Sequence, residues 1–237
     1  SPLVSCNTNT ELSYYFYRMR YRSCPGYVLT ILLQFLLGAP INAQTVVLSS
    51  GHAHNDYWHC RPLSQAIEAG FMSIEVDVHL LKGGILVNHE AVFTRKGRNL
   101  EAMYLQPLFE MAKANNFESV YPNGHKEFFL YIDIKQGCLA IHDTLISQLK
   151  RYEQMLTVWE SGVKKTGAVS IIIGDCGRRD EWVLAAKRWF YFDAHLDKID
   201  DSLSADFIPR IGSSLHSVTN WSGIGKLPKA DEAKIRA

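Results

Sequence analysis

The chain has 237 residues, 47% of them apolar and 21% charged, with a formal charge of +1. That is the composition of a globular protein with enough apolar material for one large core, a domain of about 190 residues once the N-terminal segment is set aside. A near-neutral charge gives no electrostatic ground for binding nucleic acid, and there is no glycine-rich dinucleotide or P-loop fingerprint.

Residues 1–43 read differently from the rest. Met19-Arg20-Tyr21-Arg22 is a short basic run, residues 27–38 (YVLTILLQFLLG) are apolar, and Ile41-Asn42-Ala43 ends in a small residue before Gln44. This is the order of a secretory signal peptide over residues 19–43, with an apolar stretch too short for a comfortable membrane span; a retained anchor is the alternative. Residues 1–18 precede Met19, a plausible initiator, and read as upstream sequence translated in error. Residues 44–237 are then an exported domain, secreted or periplasmic. It keeps Cys60, Cys138 and Cys176, an odd number that allows at most one disulfide and no disulfide framework.

Residues 51–90, GHAHNDYWHCRPLSQAIEAGFMSIEVDVHLLKGGILVNHE, hold most of the chemistry. TVVLSS leads into His52 and His54, FMSIEVDV carries Glu75 and Asp77, and ILVN delivers His89. Residues i and i+2 of a strand share a face about 6–7 Å apart, so each pair converges on one side. RPLSQAIEAG has helical spacing with Gly70 as its stop, which makes a strand–helix–strand unit with two parallel strands.

Further on, a helix is expected at about residues 106–115, and Pro122-Asn123-Gly124 signals a turn. Residues 128–135 (FFLYIDIK) form the clearest buried strand, ending in the polar pair Asp133 and Lys135. A helix over about 139–152, a strand over 168–173 ending at Gly174-Asp175, a short helix over 181–188 and a strand over 190–192 closing on Asp193 follow. Residues 207–211 read as one more strand, and KADEAKIRA as the start of a helix. The alternation argues α/β with a parallel sheet. Polar groups at several strand ends favour a TIM-type (β/α) barrel over an open sheet, and an end inside a helix suggests a barrel truncated at its C-terminus.

Glu75, Asp77 and Asp133 would make an all-oxygen cluster, the ligand type of one divalent cation, Mg2+ or Ca2+, and not of zinc. Lys135 on the same strand face can meet a phosphate as a point charge. The histidines can serve as general base and acid, each worth about 10²–10⁴-fold in rate. A lone Glu-x-Asp on a strand is more often a solvated face; the convergence of four strand ends is what favours a site. Asp175, Asp193 and His195 are weaker candidates.

These residues carry a family resemblance. The string HAHNDY…RPL…IEVDV…LVNHE, then LYIDIK and NWSGIGKLP, resembles the phosphatidylinositol phospholipase C-like phosphodiesterase superfamily, which includes the glycerophosphodiester phosphodiesterases. The nearest branch is one of secreted bacterial proteins that also includes altered inheritance of mitochondria protein 6. The resemblance covers about residue 45 to the C-terminus. It implies a TIM-type barrel and metal-dependent phosphodiester cleavage, commonly through a cyclic phosphate, of a small-molecule or lipid substrate. It assigns metal to Glu75, Asp77 and Asp133, phosphate contact to Lys135 and one catalytic histidine to His89. The other falls on His52 or His54: the strand-end position favours His54, the spacing to the next helix His52. The expected partners are that diester and, for a lipid, transient contact with a membrane surface. The chain departs from the glycerophosphodiesterase pattern in having Asn55-Asp56 after His54 instead of Arg-Gly, and His89-Glu90 instead of His-Asp. Two competing readings are a barrel that binds a phosphorylated lipid or sugar without turnover, and a zinc amidohydrolase, whose first strand also ends in His-x-His.

Overall fold

In the computed structural model, β2 (Phe71–Leu81) and β4 (Phe128–Gln136) lie side by side as parallel strands and set the frame of the domain. The structure describes residues 46–81, 84–93, 97–122, 124, 127–174, 178–195, 204–212, 214–217 and 219–236. The signal peptide expected over 19–43, the segment 1–18, and Asp175 and Cys176 lie outside the described residues. None of the described helices is long and apolar enough to cross a membrane.

Period-2 patterning explains why these two strands form the centre. Ile74, Val76 and Val78 of β2, with Phe128, Leu130 and Ile132 of β4, are fully buried on one face. Removing each such side chain from water stabilises the fold by about 1.5–3 kcal/mol. The intervening positions, Ser73, Glu75 and Asp77 on β2 and Tyr131, Asp133 and Lys135 on β4, point to the other face. That face carries the polar chemistry.

Around this pair the sheet order is β1 (Leu48–Ala53), β2, β4, β7 (Val169–Ile173), β9 (Tyr191–His195) and β10 (Arg210–Gly212), every adjacent pair parallel. β3 (Gly84–Val87) turns back on β2 as an antiparallel hairpin arm. His89, delivered by ILVN as the sequence suggested, therefore follows an antiparallel return. The helices are α1 (Ser64–Glu68), α2 (Gln106–Ala114), α3 (Cys138–Arg151), α4 (Arg179–Val183) and α5 (Lys229–Arg236). α3 buries Ile141, Leu145, Ile146 and Leu149 and packs on β2, β3 and β4.

The TIM-type barrel expected from the sequence is not what forms. A TIM barrel closes eight parallel strands on themselves. Here six parallel strands and one antiparallel arm curl into a half-barrel, and β1 and β10 pair with no further strand among the described residues. Strand–helix alternation dictates a parallel sheet but does not dictate closure. A second correction concerns residues 181–188, expected as one helix. α4 ends at Val183, and β8 (Lys187–Arg188) instead joins β5 (Val158–Glu160) and β6 (Val163–Lys165) in a small antiparallel sheet that the sequence reading missed.

Candidate active site

The loop after β1 is built around two buried polar side chains. Asn55 takes a left-handed backbone (φ 52°), and Asp56–Trp58 forms a single 3-10 turn. Asp56 is fully buried; its Oδ2 accepts the Leu63 N–H (2.6 Å) and the Tyr104 hydroxyl (2.9 Å). One carboxylate thus fastens the loop to the start of α1 and to residues 101–105. Tyr57, also buried, aims its hydroxyl at Asp77 Oδ2 (2.6 Å), with Asn55 Oδ1 at 3.0 Å as a second acceptor. The phenol has one proton to give, and the shorter, charged acceptor takes it. Burial, then the Asp77 carboxylate, raise the Tyr57 pKa far above the ordinary phenol range, so the group stays a donor.

Register explains the acidic cluster. Asp77 lies opposite Asp133 and Glu75 opposite Tyr131 across the β2–β4 ladder. Neighbouring strands are about 4.8 Å apart, which brings the carboxylates of two strands together. One oxygen from each of Glu75, Asp77 and Asp133 lies within 4.8 Å of the others. Asp77 is fully buried; its Oδ2 is occupied by Tyr57 and by His89 Nδ1 (2.6 Å). Its Oδ1 has no partner in hydrogen-bond geometry, although the Lys135 ammonium is 3.3 Å away at ion-pair distance. An oxygen-only donor set with a buried, unbonded carboxylate oxygen fits a hard divalent cation.

Lys135 also holds Asp133 Oδ2 at 2.7 Å. Burial pulls the Lys135 pKa down, but the hydrogen bond and charge of Asp133, with the charge of Asp77, outweigh it and leave the ammonium above its ordinary value. On the other flank, His54 Nε2 is 3.1 Å and His52 Nε2 3.9 Å from Glu75 Oε2; the His54 side chain is 71% exposed against 24% for His52, so His52 is the enclosed one. All seven residues that the sequence singled out, His52, His54, Glu75, Asp77, His89, Asp133 and Lys135, meet in one continuous cluster.

The partners of the two enclosed-side nitrogens assign tautomers. His89 Nδ1 faces the acceptor Asp77, so it carries the proton and leaves a lone pair on Nε2 in the neutral ring. His52 Nδ1 faces Ser73 Oγ (2.8 Å) and a guanidinium nitrogen of Arg210 (3.2 Å). Arginine can only donate, so this Nδ1 accepts and the neutral ring holds its proton on Nε2, toward Glu75. The two histidines therefore present opposite faces to the cluster, one a proton acceptor and one a donor. His79, buried beneath them, bonds through Nε2 to the His89 carbonyl (3.0 Å) and fixes that segment. Trp58, 62% exposed, stands edge-on to the His89 ring at 6.3 Å and so flanks the mouth.

Of the weaker candidates, Asp193 reaches the edge of the cluster, where it accepts the Tyr131 hydroxyl. Burial, then that contact, raise the Tyr131 pKa well above the phenol range. The backbone of His195 lies in β9, and Asp175 is outside the described residues. Sequence reasoning missed Tyr57, Tyr131 and Arg210. The i, i+2 spacing of Tyr131 from Asp133 was a usable signal; Arg210, next to Pro209 in a three-residue strand, offered none.

Residues 42–193 match the AIM6-like phosphodiesterase domain. Curated relatives carry the name altered inheritance of mitochondria protein 6. That of Eremothecium gossypii is 27% identical over 74% of this chain and 51% of its own length. The homolog from Arthroderma benhamiae is 29% identical over 61% of this chain and 52% of its own. That of Lachancea thermotolerans is 33% identical over 80% of this chain and 50% of its own. The chain spans about half the length of these relatives. No solved structure gives a significant match.

Proposed function

The chain belongs to the AIM6-like phosphodiesterase family, and from that premise we propose that it is a divalent-cation-dependent phosphodiesterase acting on a phospholipid head group or glycerophosphodiester-type substrate. The observation that carries the proposal is the meeting of Glu75, Asp77 and Asp133 oxygens within 4.8 Å, flanked by Lys135 and three histidines. Glu75, Asp77 and Asp133 would hold one Mg2+ or Ca2+. Such an ion, when bound, stabilises negative charge on a phosphoryl oxygen.

The remaining work falls to the protein's own groups. His89 Nε2 takes the proton of the attacking hydroxyl, its ring held and its charged form supported by Asp77 at Nδ1. His52 Nε2–H hydrogen-bonds the leaving oxygen, its opposite nitrogen fixed by Ser73 and Arg210. The proton itself comes from the imidazolium form of His54, exposed and 3.1 Å from Glu75, and the His54 ring is left neutral. Lys135 sets its positive charge beside the phosphoryl group. An attacking hydroxyl from the substrate itself would give a cyclic phosphate, and one from water an open monoester.

Two features support a lipid substrate met at a membrane surface. Trp58, Val92 and Leu139 follow β1, His89 and β4 respectively, and are 62%, 82% and 59% exposed, which leaves apolar side chains on the side from which substrate enters. Cys60 and Cys138 are both disulfide-bonded, which supports an oxidising, exported setting.

The test is hydrolysis of bis(4-nitrophenyl) phosphate with Mg2+ or Ca2+, with and without EDTA, by the protein and by Glu75→Gln. The expected result is turnover abolished by EDTA and reduced at least about 10²-fold by the substitution. Turnover indifferent to EDTA would remove the cation from the proposal. No turnover with either ion, alongside binding of phosphoinositides, would favour a half-barrel domain that binds without cleaving.

A further inference from the structure

The geometry points to a second anion-binding group in this site: Arg210 takes a nonbridging phosphoryl oxygen of the substrate from the flank opposite Lys135. This inference rests on the reading of the cluster as a phosphodiester site and adds a residue that neither motif nor spacing singled out.

Arg210 opens β10, the last strand of the sheet, and His52 belongs to β1, the first. The two residues are 158 positions apart, yet Arg210 Nη1 lies 3.2 Å from His52 Nδ1. The guanidinium also sits 5.7 Å from the centre of the Tyr131 ring, one step below Asp133 on the polar face of β4. The curl of the half-barrel therefore carries a cation from its far edge to the wall of the cluster.

Two facts make this cation available. Asp193 is its register partner on β9, but Asp193 is engaged by the Tyr131 hydroxyl, and no carboxylate among the described residues lies at ion-pair distance from Arg210. Lys135, by contrast, pairs with both Asp77 and Asp133, so an incoming phosphate competes with two carboxylates for it. A half-buried guanidinium has five donors in a fork that matches phosphate oxygens, and here one of them is engaged by a described side chain. Charge balance agrees: three carboxylates, Lys135 and a divalent ion sum to zero, and Arg210 supplies the positive excess that a diester monoanion requires.

The experiment is calorimetric titration of inorganic phosphate into the Mg2+- or Ca2+-loaded protein, its Arg210→Gln and its Arg210→Lys variants, with cation affinity and melting temperature measured on each. Arg210→Gln is expected to weaken phosphate binding about tenfold or more, from the loss of hydrogen bonds to a charged group, without weakening cation binding. Arg210→Lys is expected to restore part of the loss. On the unaltered protein, phosphate is expected to protect Arg210 from phenylglyoxal, read by peptide mass, which keeps the test decisive if Arg210→Gln fails to fold. Unchanged phosphate affinity with a lowered kcat would overturn the inference and leave Arg210 as a prop for His52. Absence of phosphate binding or of protection in the parent protein would overturn it as well. Arg210-dependent phosphate binding without any hydrolysis of a diester would uphold it while removing the hydrolase reading.

Discussion

Removing one hydroxyl, Tyr57→Phe, should damage both the stability and the chemistry of the site. The ring is 1% exposed and keeps its packing as phenylalanine, so the change isolates the 2.6 Å bond to Asp77 Oδ2. A hydrogen bond to a charged acceptor contributes about 1.5–3 kcal/mol, and here the acceptor is fully buried, so water cannot replace the donor. For a domain of this size each kcal/mol is worth about 2–4 °C, so the metal-free variant should melt about 3–12 °C lower. Turnover should fall about 10–100-fold, since Asp77 loses one of the two donors that orient it. Both are measurable, by thermal melts in EDTA and by hydrolysis of bis(4-nitrophenyl) phosphate. The pH dependence follows from the raised folded-state pKa of Tyr57 relative to 10.0. Below pH 10 the phenol is protonated in both states and its contribution is fully present; above it the unfolded state ionises first and the contribution declines. A variant that melts within about 1 °C of the parent at pH 7 and turns over normally would refute the assignment of that proton to Asp77.

Asp56→Ala strips the acceptor from two buried donors, the Leu63 N–H and the Tyr104 hydroxyl, and should cost about 3 kcal/mol in urea unfolding; a loss below about 1 kcal/mol would mean that the loop is held by something else. Glu153 accepts from Lys187 Nζ (2.8 Å) and Trp189 Nε1 (2.7 Å), and these bonds hold its pKa below the ordinary 4.5. Its contribution is present above that value and lost as pH falls through the lowered folded pKa, so the gap between the parent and Glu153→Gln, about 0.5–1 kcal/mol at pH 7 after solvent screening, should shrink progressively as pH falls below 4.5. A divalent cation at about 100 times its Kd should stabilise the parent by about 2.7 kcal/mol, seen as a melting shift absent from Asp77→Asn; equal shifts in both would place the ion elsewhere.

The central strands were legible because β2 and β4 alternate apolar and polar residues, and the buried face of each is nearly all Ile, Val, Leu and Phe. The β5–β6 hairpin was not, since VKK is exposed throughout and β5 has three residues. Its one local signal was Ser161-Gly162, both at positive φ (51° and 81°), the backbone of a tight hairpin turn. Lys187 and Arg188 defeated the helical reading for a tertiary reason: they pair with Glu160 and Trp159 across the hairpin. Arg188 is buried between the Trp159 and Phe207 rings, at 4.2 and 4.0 Å, and burial pulls its pKa down to about 10. Nothing within five residues of Arg188 announces those neighbours.

The site divides along the same line between local and distant causes. Glu75, Asp77, Asp133 and Lys135 were readable because spacing along a strand fixes which face a residue occupies. Tyr57 and Arg210 act through partners that spacing cannot see, Asp77 twenty residues away and His52 across the whole sheet. Tyr57 belongs to what the cluster requires to exist in a folded protein at all. Three carboxylates gathered within 4.8 Å, two of them buried, repel one another and lose hydration, so the fold gains no stability from assembling them. Each is tolerated because a donor or cation stands against it: Tyr57, His89 and Lys135 at Asp77, Lys135 at Asp133, and His54 with His52 at Glu75. An ion bound between the three carboxylates would relieve the repulsion that these side chains now offset only in part.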